Sequence, residues 1–327
     1  MNVLVRQGQP PLVLADGPDR AVAHRDGLRA DGSDWVAAHR DGLRAVVAEH
    51  GAVLVRGLGL ADLAGVRRVG EALVERPFEE REGFAAREHF GDGLHSSALW
   101  PANDVMCMHH ELSYLAAPPG TLLLACLRAP ESGGASGIAD GAEVLDALPA
   151  DLVARFEEQG WLLERSYHAD FGLPWPEAFG TDDRPTVEKY LADNDIDWQW
   201  SPGGVLRTRQ RRAAVVRHPV DGRRIWFNQV AFLSEWTMDP DVRDYLAEVV
   251  DGFPLNTRYG DGEPLTPDVV RLINKTYEAY TRVTPWQGGD LLVLDNIRTA
   301  HSREPYRGDR RVIVTMGDPV RVEGVRG

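Results

Sequence analysis

Between Val105 and Met316 the chain alternates short apolar runs with turn-forming clusters, and this punctuation limits its fold more than any other feature. The runs are Val105–Met108, Thr121–Leu127, Ala213–Arg217, Arg224–Asn228, Asp290–Leu294 and Arg311–Met316. Between them lie Pro118-Pro119-Gly120, Ser132-Gly133-Gly134, Pro219-Val220-Asp221-Gly222 and Gly288-Gly289. Runs this short, closed by residues that stop strands, build a β-sandwich or barrel.

Helices flank this β-rich part. Trp35–His50 carries a helical apolar stripe of Trp35, Ala38, Leu43, Val46 and Val47 and stops at Gly51. The run Ala52–Arg56 reads as a strand, and Asp62–Glu75 as a second amphipathic helix. Further helices are expected at Asp151–Gln159, Val242–Val250 and Thr266–Arg282. The octapeptide AHRDGLRA occurs at 23–30 and again at 38–45. Two copies are too few for a solenoid, so this is a local duplication. No low-complexity linker divides the chain. The expectation is one domain over 1–327, with an N-terminal extension at 1–34 and a helical insertion at 142–200.

Composition removes several classes of function. Fifty acidic residues against 36 basic ones give a net charge of −14, which disfavours binding to phosphate backbones. The basic run Arg207, Arg209, Arg211 and Arg212 is too short to reverse this. The longest apolar stretch, Leu122–Leu127, falls far short of the ~20 residues of a membrane helix. The start, MNVLVRQGQPP, lacks the pattern of a secretory signal. Cys107 and Cys126 are the only cysteines, too few for a disulfide framework. A cytoplasmic location is the expectation.

Ten histidines are present, and four of them begin a His-x-Asp/Glu pair: His24/Asp26, His39/Asp41, His109/Glu111 and His168/Asp170. On a strand, residues i and i+2 face the same way, so such a pair can offer two metal ligands together. With a distant histidine they form the facial triad of mononuclear iron, which leaves three coordination positions open. The first two pairs lie in helical sequence, where i and i+2 diverge. His168/Asp170 follows Trp161–Tyr167, a candidate strand, and remains a rival. His109/Glu111 follows the run Val105–Met108 directly and has the better setting. His110 points to the opposite face, in a packing role. His301, in a loop after Gly289–Asn296, supplies the distant histidine.

Three segments carry a resemblance to a known family. HHELSYLAAPPGTLLLACLRAPESGGASGIADG (109–141), HPVDGRRIWFNQ (218–229) and WQGGDLLVLDNIRTAHSREPYRGDRRVIVTM (286–316) resemble the taurine dioxygenase family of clavaminate synthase-like oxygenases. The likeness runs from about Trp35 to Met316 and is nearest to the syringomycin-type aspartyl hydroxylase branch, whose metal pair is His-x-Glu followed by Ser-Tyr.

The resemblance implies a mainly β fold with flanking helices around a double-stranded β-helix (jelly-roll) core. It implies Fe(II) on His109, Glu111 and His301, with 2-oxoglutarate as co-substrate and dioxygen as oxidant. It also implies that an arginine on the strand after the distant histidine grips the far carboxylate of 2-oxoglutarate, with a hydroxyl helping. The residues offer Arg310 and Arg311 on opposite strand faces; the family alignment selects Arg311. Ser136 matches the helper hydroxyl, although an ordinary turn serine reads the same way. The position four beyond Arg311, where the taurine-specific branch has a second arginine, is Thr315, which argues against sulfonates. Asn228 and Gln229 are candidates for the substrate side, or else for strand-end hydrogen bonding. The carboxylate of Glu111 favours hydroxylation or desaturation over halogenation. The implied substrate is a small molecule, an amino acid or amino-acid-derived acid of specialised metabolism, free or held on a carrier protein. Self-association into a homo-oligomer is compatible with all of this.

Overall fold

The computed structural model describes residues 1–15, 32–250 and 252–324. The first copy of the octapeptide and the His24/Asp26 pair lie outside the described residues. In the second copy the expected helix is two, Gly32–Ala38 and Arg40–His50, broken at His39. It ends at Gly51, whose φ of 79° suits glycine. A Cβ there would lie 2.5 Å from the Thr299 hydroxyl, so the position also needs the missing side chain. The next helix, Leu63–Leu73, starts because the Asp62 carboxylate accepts the Gly65 N–H at 2.8 Å.

The largest sheet has seven strands in the order Val3–Leu4, Leu12–Leu14, Ala52–Arg56, Leu291–Asp295, Pro119–Arg128, Arg311–Pro319 and Leu94–Ser96. Its central strands are buried on both faces. Leu123, Ala125, Leu291, Val293 and Ile313 pack outward with Leu43, Val66 and Val69 of the flanking helices. Leu122, Leu124, Cys126, Leu292, Val312 and Val314 pack inward. Inward they meet Met106, Met108, Ile138, Ala139 and Ala300, from a three-stranded sheet in the order Met106–His109, Thr299–Arg303, Ile138–Asp140. These opposed sheets form the double-stranded β-helix, and the space between them holds the site.

The segment 142–200 contains helices, among them Ala150–Gln159 and Arg184–Asp193, but also two strands. Trp161–Tyr167 and Asp197–Trp200 belong to a separate four-stranded sheet with Leu206–Arg212 and Leu255–Tyr259. Leu206–Arg212 is the basic run. Arg207, Arg209 and Arg211 alternate with buried Leu206, Thr208 and Gln210, so these three share one face of a strand. No helix among the described residues is long and apolar enough to cross a membrane.

Candidate metal centre and co-substrate cavity

His109 ends the Met106–His109 strand and lies directly opposite His301 on Thr299–Arg303. His301 therefore stands on a strand, and the expected loop position is corrected. The cross-strand register, more than loop geometry, brings together two histidines nearly two hundred residues apart. Glu111 follows after one residue. Its Oε2 lies 3.6 Å from His109 Nε2 and 3.4 Å from His301 Nε2. The three donor atoms lie within 4.8 Å of one another, and all three residues are buried. Among the described residues this is the only such group of three or more. His168 is half-buried and Asp170 exposed, so the rival pair does not assemble.

The donor chemistry fits a divalent metal. His109 Nδ1 donates to the Cys107 carbonyl at 2.8 Å, which leaves the Nε2 lone pair facing the group. That Nε2 is buried and has no hydrogen-bond partner. Burial, helped by His109, pushes the His301 pKa down to about 4, so its ring is neutral as a ligand must be. Burial alone would raise the Glu111 carboxyl, but Arg87 beside it holds it well below the usual range. The His109 ring stacks on Phe232, with centroids 4.3 Å apart, and Phe84 sits edge-on to both rings.

Asn296 fixes the turn between the ligands. Its Oδ1 accepts the Glu111 N–H at 2.8 Å, and its Nδ2 donates to the Glu111 and Pro119 carbonyls. Leaving such a buried N–H unpaired costs ~1–3 kcal/mol. Asp295 accepts from the Ile297 and Arg298 N–H groups and from His218. The Asp-Asn strand end is thus a joint holding the ligand turn. His110 packs away from the metal group as expected, its Nδ1 against the Asn296 carbonyl.

A narrow cavity runs from Glu111 and His301 past Leu124, Val312 and Val314 to Ser136, Arg303 and Arg310. Arg311 is not in it. Arg311 is exposed, its guanidinium 5.7 Å from the centre of the Phe90 ring. The register between Arg311–Pro319 and Pro119–Arg128 shifts between Arg311 and Val312, so that Leu127 has no partner. Inward-facing residues of this strand are even-numbered, and Arg310 precedes them on that side. The structure thus places Arg310, and not the expected Arg311, at the cavity. Arg310 Nε donates to the Gly134 carbonyl at 3.0 Å, and among the described residues no carboxylate pairs with it. Burial, with Arg303 nearby, lowers its pKa to about 10, still a cation at neutral pH. Arg303 donates to the carbonyls of Trp100, Pro101 and Asp104, pinning that loop beside the cavity.

The expected substrate-side residues stand elsewhere. Thr315 is odd-numbered and faces outward, its methyl group close against Gly70 of the Leu63–Leu73 helix. Asn228 Nδ2 donates to the Ala214 carbonyl and its Oδ1 accepts the Val230 N–H. Gln229 Nε2 donates to the His110 carbonyl. Both are fully buried backbone braces, and the strand-end reading holds for them. Sequence reasoning missed Arg87 and Arg303, and weighed Arg310 only as the alternative to Arg311. Cys107 and Cys126 are free thiols whose pKa burial raises.

Comparison with known proteins agrees with this geometry. The family described as taurine catabolism dioxygenase TauD, TfdA family matches residues 17–316. The dapdiamide synthesis protein DdaC of Enterobacter agglomerans is 32% identical over 277 residues, 84% of each chain. A clavaminate synthase-like protein of Arabidopsis thaliana is 27% identical over 279 residues, 82% of each. Among solved structures, AAD-2, in complex with Mn(II) and N-oxalylglycine, aligns with a TM-score of 0.53 at 15% identity, covering 98% of this chain and all of its own (100%). PvcB of Pseudomonas aeruginosa aligns with a TM-score of 0.51 at 14% identity, covering 96% of this chain and 90% of its own. The chain belongs to the TauD, TfdA family and is an iron- and 2-oxoglutarate-dependent dioxygenase acting on a small molecule.

Proposed function

We propose that this dioxygenase hydroxylates an unactivated C–H bond of an amino acid or amino-acid-derived acid in specialised metabolism. In this reading His109, Glu111 and His301 hold iron, and Arg310 with Ser136 holds the far carboxylate of 2-oxoglutarate. The observation that carries it is one cavity with two chemically different ends. One end offers the His301 imidazole and the Glu111 carboxylate, with the His109 ring beside them. The other offers a guanidinium with no carboxylate partner beside a hydroxyl, the natural grip for a carboxylate.

Iron with 2-oxoglutarate and dioxygen supplies C–H oxidation, releasing succinate and carbon dioxide. The chain supplies position and dryness. The Cys107 carbonyl fixes the His109 tautomer, Asn296 fixes the Glu111 backbone, and Phe84 and Phe232 shield one side of the His109 ring. Residues 1–327 act as one catalytic domain.

The register also bears on substrate class. With Arg310 as the gripping arginine, the position four residues on is Val314, an inward-facing apolar residue. A second arginine for a sulfonate is therefore missing on this register too. The relationship to a dapdiamide synthesis protein supports a role in specialised metabolism. The test is succinate release across a panel of amino acids, their small acid derivatives and their carrier thioesters, with taurine as comparison. Gain of one oxygen in the product supports hydroxylation; loss of two hydrogens shows desaturation or ring closure instead. Turnover of taurine alone would overturn the substrate class. Absence of succinate with every substrate would favour a binding protein on the same fold.

A further inference from the structure

Beyond the iron ligands, the cavity wall contains one ion pair that reaches the metal group itself. The side chain of Arg87 is only 4% exposed. Its Nη2 donates to Glu111 Oε1 at 2.7 Å, its Nη1 to the Ser96 carbonyl at 3.3 Å, and its Nε lies 3.3 Å from Glu80 Oε1. The two oxygens of Glu111 thus have separate tasks. Oε2 faces both histidine Nε2 atoms, and Oε1 is taken by Arg87.

We propose that Arg87 is a positioning residue that keeps Glu111 a one-oxygen ligand, with Glu80 bracing the guanidinium from behind. The inference rests on the reading of Glu111 as an iron ligand. A carboxylate free to rotate can chelate a metal through both oxygens. Three protein ligands leave three of six positions open, two for the 2-oxo acid and one for dioxygen. A second Glu111 oxygen takes one of these. Arg87 prevents this by holding Oε1 in a charge-assisted hydrogen bond.

The loop that carries Arg87 is itself fixed. The Glu82 carboxylate accepts from Tyr190 Oη at 2.8 Å and Gln210 Nε2 at 3.1 Å. The Glu82 carbonyl accepts from Tyr114 Oη and Arg165, and Arg165 also donates to the Gly83 carbonyl. The four-stranded sheet, through Arg165 and Gln210, thereby acts on the metal group from outside the core. Burial alone would lower the Arg87 pKa, but Glu111 and Glu80 raise it, so the cation is permanent.

The test uses Co(II), whose visible d–d bands report coordination number without turnover. The full-length protein is titrated anaerobically as wild type, Arg87→Met, Arg87→Lys, Glu80→Gln and Glu111→Ala. We expect Arg87→Met to bind Co(II) with a changed band pattern, Arg87→Lys to return part of the way, and Glu80→Gln to shift less in the same direction. Succinate formation with iron should fall about 10- to 100-fold in Arg87→Met. A Co(II) spectrum of folded Arg87→Met superimposable on wild type overturns the proposal. If Arg87→Met does not fold, an unchanged Glu80→Gln spectrum overturns it. If Glu111→Ala matches wild type, the reading of Glu111 as a ligand fails instead.

Discussion

The two ends of the cavity are built on different local rules. At the metal end His109 and His301 stand directly opposite each other on two neighbouring strands, and Glu111 lies in the turn just after the first of them. The register of this pair shifts just beyond them, between His301 and Arg303. At the arginine end Arg310 lies just before a strand whose neighbour holds an extra residue, Leu127, in the register. Side chains on a strand alternate with period two, and because the extra residue lies in the neighbour the alternation of this strand itself is unbroken. Arg310 falls on the inward side with Val312 and Val314, and Arg311 on the solvent side. A directly paired histidine could be found from spacing; an arginine followed by Val312, Ile313 and Val314, all buried on a strand covered on both faces, could not be assigned a face.

The largest expected effect breaks the metal end. Ala at His109, Glu111 or His301 should abolish succinate formation and anaerobic Fe(II) binding, whereas His168→Ala should retain both. Loss of iron in His168→Ala with retention in His109→Ala would return the site to the rival pair.

The arginine end gives the sharper contrast. Arg310→Ala leaves a buried co-substrate carboxylate without its partner, a loss of typically ~3–5 kcal/mol. That corresponds to a rise on the order of 10² to 10³ in the 2-oxoglutarate requirement. Arg311→Ala, on an exposed side chain, should be nearly neutral. Titration of both with 2-oxoglutarate under anaerobic Fe(II), followed by the charge-transfer band, decides between them. Weakening in Arg311→Ala alone would show that the strand faces are reversed.

A smaller effect tests the outer face of the same strand. Thr315→Val, which keeps the shape and removes a hydroxyl without a hydrogen-bond partner, should leave turnover with every accepted substrate within about twofold. A selective loss with one substrate would place Thr315 at the cavity after all.

The smallest effect lies behind the metal end. His218 sits between Asp295 Oδ2 at 2.8 Å and Asp221 Oδ1 at 3.1 Å. Burial would lower its pKa, but the two carboxylates prevail and raise it. A raised pKa stabilises the fold fully below the unfolded value, ~6.5, and the gain is lost as pH rises through the folded value. His218→Gln should therefore lower the urea midpoint most below about pH 6.5, with the gap to wild type narrowing at higher pH. A gap independent of pH would mean that His218 contributes through packing only.

Much of this was legible in the residues. The strand Ala52–Arg56 stands where the sequence places it, and the runs around Leu122, Val293 and Val314 lie in core strands. Trp226, Phe227 and Trp286 are core, as their composition suggests. The strands Leu206–Arg212 and Leu255–Tyr259 were hidden because polar and charged residues dominate them. Their burial comes from long-range partners, which local pattern does not encode.

The sequence by itself determined the chemistry on offer: a His-x-Glu pair at a strand end, a distant histidine between apolar runs, and an arginine pair before the last core strand. The donors were identifiable from their spacing, although Glu111 lies in the turn after the strand, held by Asn296, and not on the strand itself. The tertiary structure alone decided which arginine enters the cavity, that Asn228 and Gln229 brace backbone, and that Arg87 and Glu80 reach Glu111. Each of these depends on pairing between segments far apart in the chain, or on a loop anchored from another sheet, which local spacing does not encode.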